Sequence, residues 1–540
     1  MSIQDLISQK FPLAQINTTS DGLVITISSD LLRDLALFLY NEKQLHFDFL
    51  RNLTGVDWGE EGFVVVYHLE STEHHHQVEL RAIISKCDQP YIHTVTDLWK
   101  IAFFYEREVY DFLGIIFIQH PDMRRLFLRD EWKGFPLRKD YEHIEELDMS
   151  NEGEENTTVM WSVDESGNLC SKSRTIFDSE EYVLNIGPQH PATHGVLRFR
   201  TSLEGEFIKK IDIHCGYIHR GIEKLCESLT YQQIVPFMDR LDYLGALQSR
   251  HALCMCVENA VGIQVSDRVE YIRTIMDELQ RINSHLLFFS TLCMDLGALT
   301  AFFYGFRDRE KVLDILEQTT GGRLILHYNI IGGVENDIHP DFVQKVKELL
   351  NYLPRVLIEY KKVFSDNVIA RNRLINIGVL TTDDAISFGT TGPVGRASNW
   401  ACDVRKRMPY GVYDKVEFNE VIRTECDSYA RYLVRMEEIE ESMRIIAVLI
   451  DNIPEGSIRE KTKPIIRIPE GSYYTAVEAS RGEFGVYIES RGDKYPYRIK
   501  FRSTGLPLIA CVNTIATDAK LADLIAIGGT LDYIVPDIDR

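Results

Sequence analysis

From Glu142 to Glu180 the sequence reads EHIEELDMSNEGEENTTVMWSVDESGNLCSKSRTIFDSE, and no hydrophobic period is sustained through it. A segment so rich in acids, Ser, Asn and Gly cannot bury enough apolar surface to repay the entropy of ordering. It is therefore expected to be a linker, disordered or draped over a partner. This interruption divides the chain into two unequal domains, residues 1–141 and 181–540, joined by residues 142–180. The length of 540 residues agrees, since a chain of this size exceeds one ordinary core.

The fold class expected is α+β. In residues 1–141, an amphipathic helix near Leu31 to Glu42 and β-branched runs at Gly62 to Leu69 and Val78 to Ile84 read as a small mixed domain. After the linker, EYVLNIG, VLRFRTSL and FIKKIDIH read as three strands of a small sheet, the last two joined at Glu204-Gly205-Glu206. From Asp267 onward Val269, Ile272, Met276, Leu279, Ile282 and Leu286 recur at spacings of three and four, predicting a long helix that Ser266 would cap. Helical patterns over Asp341 to Val363 and Glu417 to Leu449, and β-rich segments around Gly485 to Phe501, make the large domain mainly helical with small peripheral sheets.

Charge and composition exclude several functions. A formal charge of −22 would repel phosphate backbones, so nucleic acid is not an expected partner. The N-terminus MSIQDLISQKF shows no basic region followed by an apolar one, so no signal peptide is expected and the chain should stay in the cytoplasm. Ten cysteines are scattered without C-x-x-C spacing and read as buried, reduced thiols. The most membrane-like run, Ser284 to Phe306, carries Asp295 and then Gly297. It reads as a buried helix pair broken at the glycine rather than a span. Walker, Rossmann, H-E-x-x-H and G-x-S-x-G signatures do not occur.

Several constellations could carry chemistry. In GPQHPATHG, His190 and His194 flank Pro191, so the imidazoles project from a stiffened turn rather than from a helix. They can donate protons or hydrogen bonds to a carbonyl oxygen under reduction, or simply bond backbone as a structural loop. MDRLDY, on a probable helix, offers Tyr243 as a neutral hydroxyl beside Asp239, Arg240 and Asp242, unless it is an ordinary surface charge cluster. Asp295 in its apolar setting calls for a histidine or arginine partner, unless it merely breaks the helix in a turn before Gly297. Arg220 in HRGIEK could stabilise charge on a neighbouring redox centre, or pair with Glu223. The segment EREVYDFLGIIFIQHPDMRR, with charges on both sides of an apolar run, reads as an interface.

Taken together, GPQHPATHGVLRF, YIHRGIEK, MDRLDY, MDLGALTAFFY, IIGGV, DVRKRMPY, EASRGEFG, PYRIKFR and the terminal DIDR occur in an order that resembles the D (49 kDa) subunits of the proton-pumping NADH:quinone oxidoreductase, respiratory complex I. EREVYDFLGIIFIQHPDMRR with GFPLRKDY resembles the C (30 kDa) subunits, so the whole chain is similar to the fused C/D subunits of some bacteria.

The resemblance implies a ferredoxin-like small domain and a large domain with the fold of nickel-iron hydrogenase large subunits. The C-x-x-C thiols of those hydrogenases are missing here: HRGIEK is followed by Cys226 alone and the C-terminus reads IVPDIDR. The resemblance thus implies an emptied metal pocket that leaves a cavity for a quinone headgroup, and a chain that binds no metal or other cofactor itself. It implies His194 and Tyr243 as quinone ligands with His190 beside them, and Asp295 as the partner of His194. Arg220 and His327 are implied near a [4Fe-4S] cluster carried by the adjoining B subunit. Further implied partners are subunits I, E, F and G and the membrane subunits H and A. NAD would bind elsewhere in the complex, and the chain would lie peripherally on the cytoplasmic side of the inner membrane.

Three positions depart from the family pattern. Ala301 stands where proline is common, Ile330 where an arginine is, and Ser503-Thr504 where Pro-Ser is. The competing readings are a hydrogen-splitting, hydrogenase-type large subunit and a scaffold that never meets quinone.

Overall fold

The computed structural model describes residues 3–19, 22–142, 156–187 and 194–540. Near the N-terminus a five-stranded sheet is built from β1 (Gln15–Thr19), β2 (Gly22–Ser28), β3 (Phe49–Asp57), β4 (Phe63–Glu70) and β5 (Gln77–Ile84), in the order β1-β2-β5-β4-β3. Strands β2 and β5 are parallel and the other pairs antiparallel. This is a correction to the ferredoxin-like expectation. β3, β4 and β5 follow one another as an antiparallel meander, with helix Ala102–Leu113 only afterwards, whereas a ferredoxin-like unit interposes a helix before its last strand.

All of β3 and β4 is buried, for a reason visible across the sheet. One face takes helix Ala102–Leu113, whose approach is so close that a Cβ on Gly55 would meet Leu113 at 2.4 Å. On the other face Val56, Val64 and Val66 pack on Tyr487 of the C-terminal region. Strands covered on both sides lose the alternation of a half-exposed strand and read as continuous apolar runs.

Residues expected to be irregular linker form a hairpin, Thr157–Val163 with Leu169–Thr175. Asp164 closes its turn by accepting the amides of Ser166 and Asn168. The hairpin lies on the N-terminal domain, where the amides of Gln119 and Met123 donate to the carbonyls of Trp161 and Val159 at 2.8 and 2.9 Å. Part of the expected linker, residues 143–155, lies outside the described residues.

Beyond it, Tyr182–Ile186, Arg198–Glu204 and Phe207–His214 make a three-stranded antiparallel sheet, and the chain then becomes helical. Helix Asp267–Asp295 is capped by Ser266, whose hydroxyl accepts the Val269 amide. Its predicted apolar stripe is buried throughout. The chain breaks at Gly297, φ +80°, and resumes as helix Leu299–Thr320. Among the described residues no helix is long and apolar enough to cross a membrane. The helix expected from Glu417 begins at Ser428, where Asp427 accepts the Ala430 amide, and runs to Leu449. A last sheet joins Gly471–Ala479, Gly482–Ser490 and Arg498–Arg502.

The hydrophobic core does not part at the linker. One cluster runs from Leu35 and Leu53 through Phe199 and Ile211 to Leu506 and Ile538. Alongside it lies a buried ionic seam. Arg51 pairs with Glu483 at 2.9 Å, Arg407 with Glu70, and Lys500 and Arg540 with Glu108. Arg498 reaches the carbonyl of Gly55 and the hydroxyl of Thr54, both at 3.2 Å. The EREVYDFLG segment thus does form an interface, and it does so within this chain.

Candidate functional site

Helix Tyr231–Met238 starts at a capping box made by Thr230 and Gln233 and stops after Met238. Most of MDRLDY is therefore not helical, contrary to expectation. Residues 239–245 turn instead, with the Gly245 amide on the Asp242 carbonyl at 3.0 Å and the Leu244 amide on the Asp242 carboxylate at 2.9 Å. That turn points Asp239 and Asp242 inward and leaves Tyr243 half-buried at its outer edge.

The Tyr243 hydroxyl donates to Nδ1 of His194 at 2.5 Å, and the rings meet edge to face with centroids 5.7 Å apart. His194 adopts a left-handed backbone, φ +54°. Burial, reinforced by the positive charge of Arg481, holds the imidazole down at about 4. Burial pushes the Tyr243 phenol up to about 12. Both side chains are thus neutral at pH 7. With Nδ1 accepting the phenol proton, the ring hydrogen of His194 sits on Nε2, where no acceptor stands among the described residues. His190 lies outside the described residues.

Beneath the pair is a buried charge cluster that sequence reasoning missed. Arg481 donates from Nη1 to Asp242 and to Ser284, both at 3.1 Å, from Nη2 to the Asp532 carboxylate at 3.2 Å and from Nε to the Asp532 carbonyl at 2.7 Å. Arg435 approaches the other oxygen of Asp532 at 3.5 Å. EASRGEFG marks Arg481 only as a turn residue between strands, and nothing local in the sequence signals that its charge is buried.

The expected pairing of Asp295 with His194 is not formed. Asp295 ends its helix beside Gly529, where an added Cβ would come within 3.3 Å of its Oδ2. That oxygen is buried and has no hydrogen-bond partner among the described residues. Burial alone raises the carboxyl to about 6. The carboxylate whose charge reaches His194 is Asp532. The reason is register: Tyr243 packs on the cluster that contains Leu287, about two turns before the helix ends, so Asp295 meets the helix Leu521–Leu531 instead. Gly529 and Tyr533 also line an apolar cavity of about 240 Å³, together with Leu184, Ile186, Phe199 and Leu524.

A second group gathers around His327, itself at φ +47°. Asp239 lies 2.7 Å from Arg250 and 3.2 Å from His327, and Arg250 Nη2 donates to His327 Nδ1 at 3.0 Å. Burial raises the Asp239 carboxyl to about 6, while burial and the Arg250 charge lower His327. Arg220 does not pair with Glu223. It donates to the carbonyls of Arg240 and Pro536 at 3.0 and 3.2 Å and stays exposed. Arg220, Arg240, Arg250 and His327 form one basic margin. Arg250 and Arg240 supply cations there although Ile330 does not, while Arg273 holds the Ile330 carbonyl at 2.8 Å. Nothing in the structure gives Ala301 a special role; it is buried in the core.

HRGIEK and DIDR do come together, with the Arg220 amide on the Arg540 carbonyl at 3.1 Å. Among the described residues the headgroup cavity expected between them is not open. Glu223, Arg540 and Glu108 fill the space, leaving about 30 Å³, room for one water. Ser503 and Thr504 replace the family's Pro-Ser usefully, because both hydroxyls donate to Asp537 and fasten the terminal segment. Among the described residues no group of three or more His, Cys, Asp or Glu could hold a metal ion.

Comparison with known proteins agrees with this organisation. Residues 25–146 match the family model described as the respiratory-chain NADH dehydrogenase 30 kDa subunit, and residues 295–466 and 461–540 match that of the 49 kDa subunit. The chain is 66% identical to the C/D subunit of an NADH-quinone oxidoreductase from Phocaeicola vulgatus, over 96% of this chain and 99% of the relative. It is 36% identical to a C/D subunit from Aquifex aeolicus over 95% and 94% of the two chains. The unfused D subunit from Desulfotalea psychrophila is 43% identical but aligns with only 67% of this chain while covering 97% of its own length. The N-terminal third is therefore what a D-only relative lacks. Matched by the 30 kDa model and then by the 49 kDa model, and aligned over nearly its whole length with C/D relatives, the chain belongs to the family of fused C/D subunits of NADH-quinone oxidoreductase, respiratory complex I, and is part of that oxidoreductase complex.

Proposed function

We propose that the large domain supplies the protein side of a quinone-reduction site, centred on His194 and Tyr243. The observation that carries this reading is their bond at 2.5 Å, joining two neutral hydrogen-bonding groups that no structural ion pair consumes. Quinone takes up two electrons and two protons at its two carbonyl oxygens. A bound headgroup opens the His194–Tyr243 bond, so that the phenol turns to one oxygen and the imidazole Nε2–H to the other. Each donates a hydrogen bond that strengthens as negative charge develops on the ring, and the two protons that complete the quinol are drawn from solvent through the pair. Asp295, half protonated near pH 6, is placed to exchange protons with water or with the site once a ligand or partner completes it. The charge changes at His194 and Asp295 that accompany reduction would bias the motion that couples the reaction to proton translocation in the membrane arm.

Electrons come from outside the chain, one at a time, from a [4Fe-4S] cluster of the adjoining B subunit. The basic margin of Arg220, Arg240, Arg250 and His327 is the face suited to an electron-rich neighbour. The chain fits the peripheral arm, on the cytoplasmic side of the membrane, among subunits B, I, E, F and G and above H and A. A large domain of the hydrogenase large-subunit type accords with this reading. Hydrogen splitting does not, because the thiol ligands it needs are missing from the sequence.

The test is quinone reduction by the assembled complex. Tyr243→Phe and His194→Ala are expected to cost about a hundredfold or more in kcat with quinone. NADH oxidation by a soluble artificial acceptor, which draws electrons upstream, should be unchanged. Wild-type quinone reduction in both variants would defeat the proposal.

A further inference from the structure

Arg481 sits in the tight turn between strands Gly471–Ala479 and Gly482–Ser490 and is wholly buried. The turn cannot shift easily. Gly482, φ +132°, lies so close to Thr391 that a Cβ there would meet its backbone at 2.9 Å. From this fixed point one guanidinium holds three separate pieces of chain: Asp242, next to Tyr243; Ser284, on the helix that ends at Asp295; and Asp532, next to Tyr533.

The charges balance. Arg481 and Arg435 face Asp242 and Asp532, all four buried. An ion set with no net charge is one a low-dielectric interior can retain. Apolar packing could hold three segments together equally well, so the use of an arginine calls for an electrostatic reason. The groups that act on His194 are Arg481, Asp532 and Arg309; those that act on Tyr243 are Arg481, Asp242, Arg309 and Asp532. In both sets Arg481 is the leading charge after burial.

We propose that Arg481 is a positioning residue of this site: anchored by Asp242, Ser284 and Asp532, it fixes the turn that aims Tyr243 at His194 and keeps the imidazole of the pair neutral until a bound quinone is reduced. The inference rests on the quinone reading of the pair. Arg481 touches neither ring and acts through its neighbours and its field.

The experiment compares Arg481→Lys, Arg481→Gln and the double variant R481Q/D532N in the assembled complex, with Tyr243→Phe alongside. Quinone-reductase kcat and KM are measured with a short-tailed quinone from about pH 5.5 to 8, the range in which an unperturbed histidine titrates. Artificial-acceptor activity monitors assembly. With Gln, Asp242 and Asp532 face Arg435 alone, the set becomes net negative and the imidazole gains a proton at the acid end, so kcat should fall roughly tenfold from pH 8 to 6 where the wild type stays level. Lys should keep the level profile with a raised KM, and the double variant, neutral again, should recover it. A level profile in Arg481→Gln, or one equally steep in the double variant, would overturn the assignment. Should Arg481→Gln fail to assemble, the double variant decides: a level profile supports a charge role, a steep one refutes it. If Tyr243→Phe retained quinone reduction, the quinone reading itself would fall, which is a different result.

Discussion

The seam between the two domains and the face that carries His194 use the same kinds of residue to opposite ends. At the seam Arg51, Glu70, Glu108, Glu223, Glu483, Lys500 and Arg540 are buried, and each meets an opposite charge. At the face, the Tyr243–His194 bond joins two neutral groups, one oxygen of Asp295 has no hydrogen-bond partner among the described residues, and His327 is half-exposed beside cations. A buried charge costs several kcal/mol unless compensated. Paired buried charges therefore mark a structural contact even where single atoms such as Glu108 Oε2 lack a hydrogen bond, and a neutral pair beside a carboxyl with no cation marks a place where something else arrives. The comparison also explains why the space between HRGIEK and DIDR is closed. It belongs to the seam, with Arg540 spanning Glu108 and Glu223, and not to the face.

The largest effect expected at the seam comes from removing one partner. Glu483→Ala would leave two buried cations, Arg51 and Arg407, sharing the single carboxylate of Glu70, and the tip of Tyr474 without its acceptor. It should destabilise the chain by about 3–5 kcal/mol, read as a fall in the chemical-denaturation midpoint of the purified full chain. A loss under 1 kcal/mol, on the order of an exposed pair, would break the contrast between seam and face.

A smaller effect sharpens it from within the N-terminal domain. Glu106 is fully buried but pairs with no cation among the described residues; it accepts the Val95 amide at 2.8 Å and the Thr94 hydroxyl at 2.5 Å, and burial pushes its carboxyl up to about 8. A carboxyl whose folded pKa is raised stabilises fully below its unfolded value of about 4.3, and that stability is lost as pH rises through about 8. The wild-type chain should thus lose about 1–3 kcal/mol between pH 5 and 8 from this group, while Glu106→Gln keeps both hydrogen bonds possible and removes that slope. Parallel slopes in melting temperature against pH would show that Glu106 is ionised in the fold.

What the sequence made legible follows physical range. The stripe from Val269 to Leu286 fixed one face of its helix because that period is local. The other face is buried too, and carries Arg273, Asp277, Arg281 and His285; the partners Glu258, His251 and Glu438, and the carbonyls of Glu478 and Ala479 that Arg281 reaches, all come from other parts of the fold. Local patterning counts such residues as solvent-facing. The hairpin at Thr157–Val163 was hidden for the converse reason. Its second strand is almost entirely exposed and shows no apolar alternation. At the site, His194 and Tyr243 were reached through the family resemblance, and they do meet. Arg481 and Asp242, 239 positions apart, carry no local sign of their contact. Asp295 was rightly expected in an apolar setting and wrongly expected to bond His194.

The central claim is that quinone meets this chain at the unpaired face and not at the seam. A photoactivatable quinone analogue, crosslinked to the assembled complex and mapped by peptide mass spectrometry, tests it directly. Label on the peptides that contain His194 and Tyr243, displaced by excess quinone, is the predicted result. Displaceable label confined to peptides around Glu108, Lys500 and Arg540, with none on either of the first two, would contradict it.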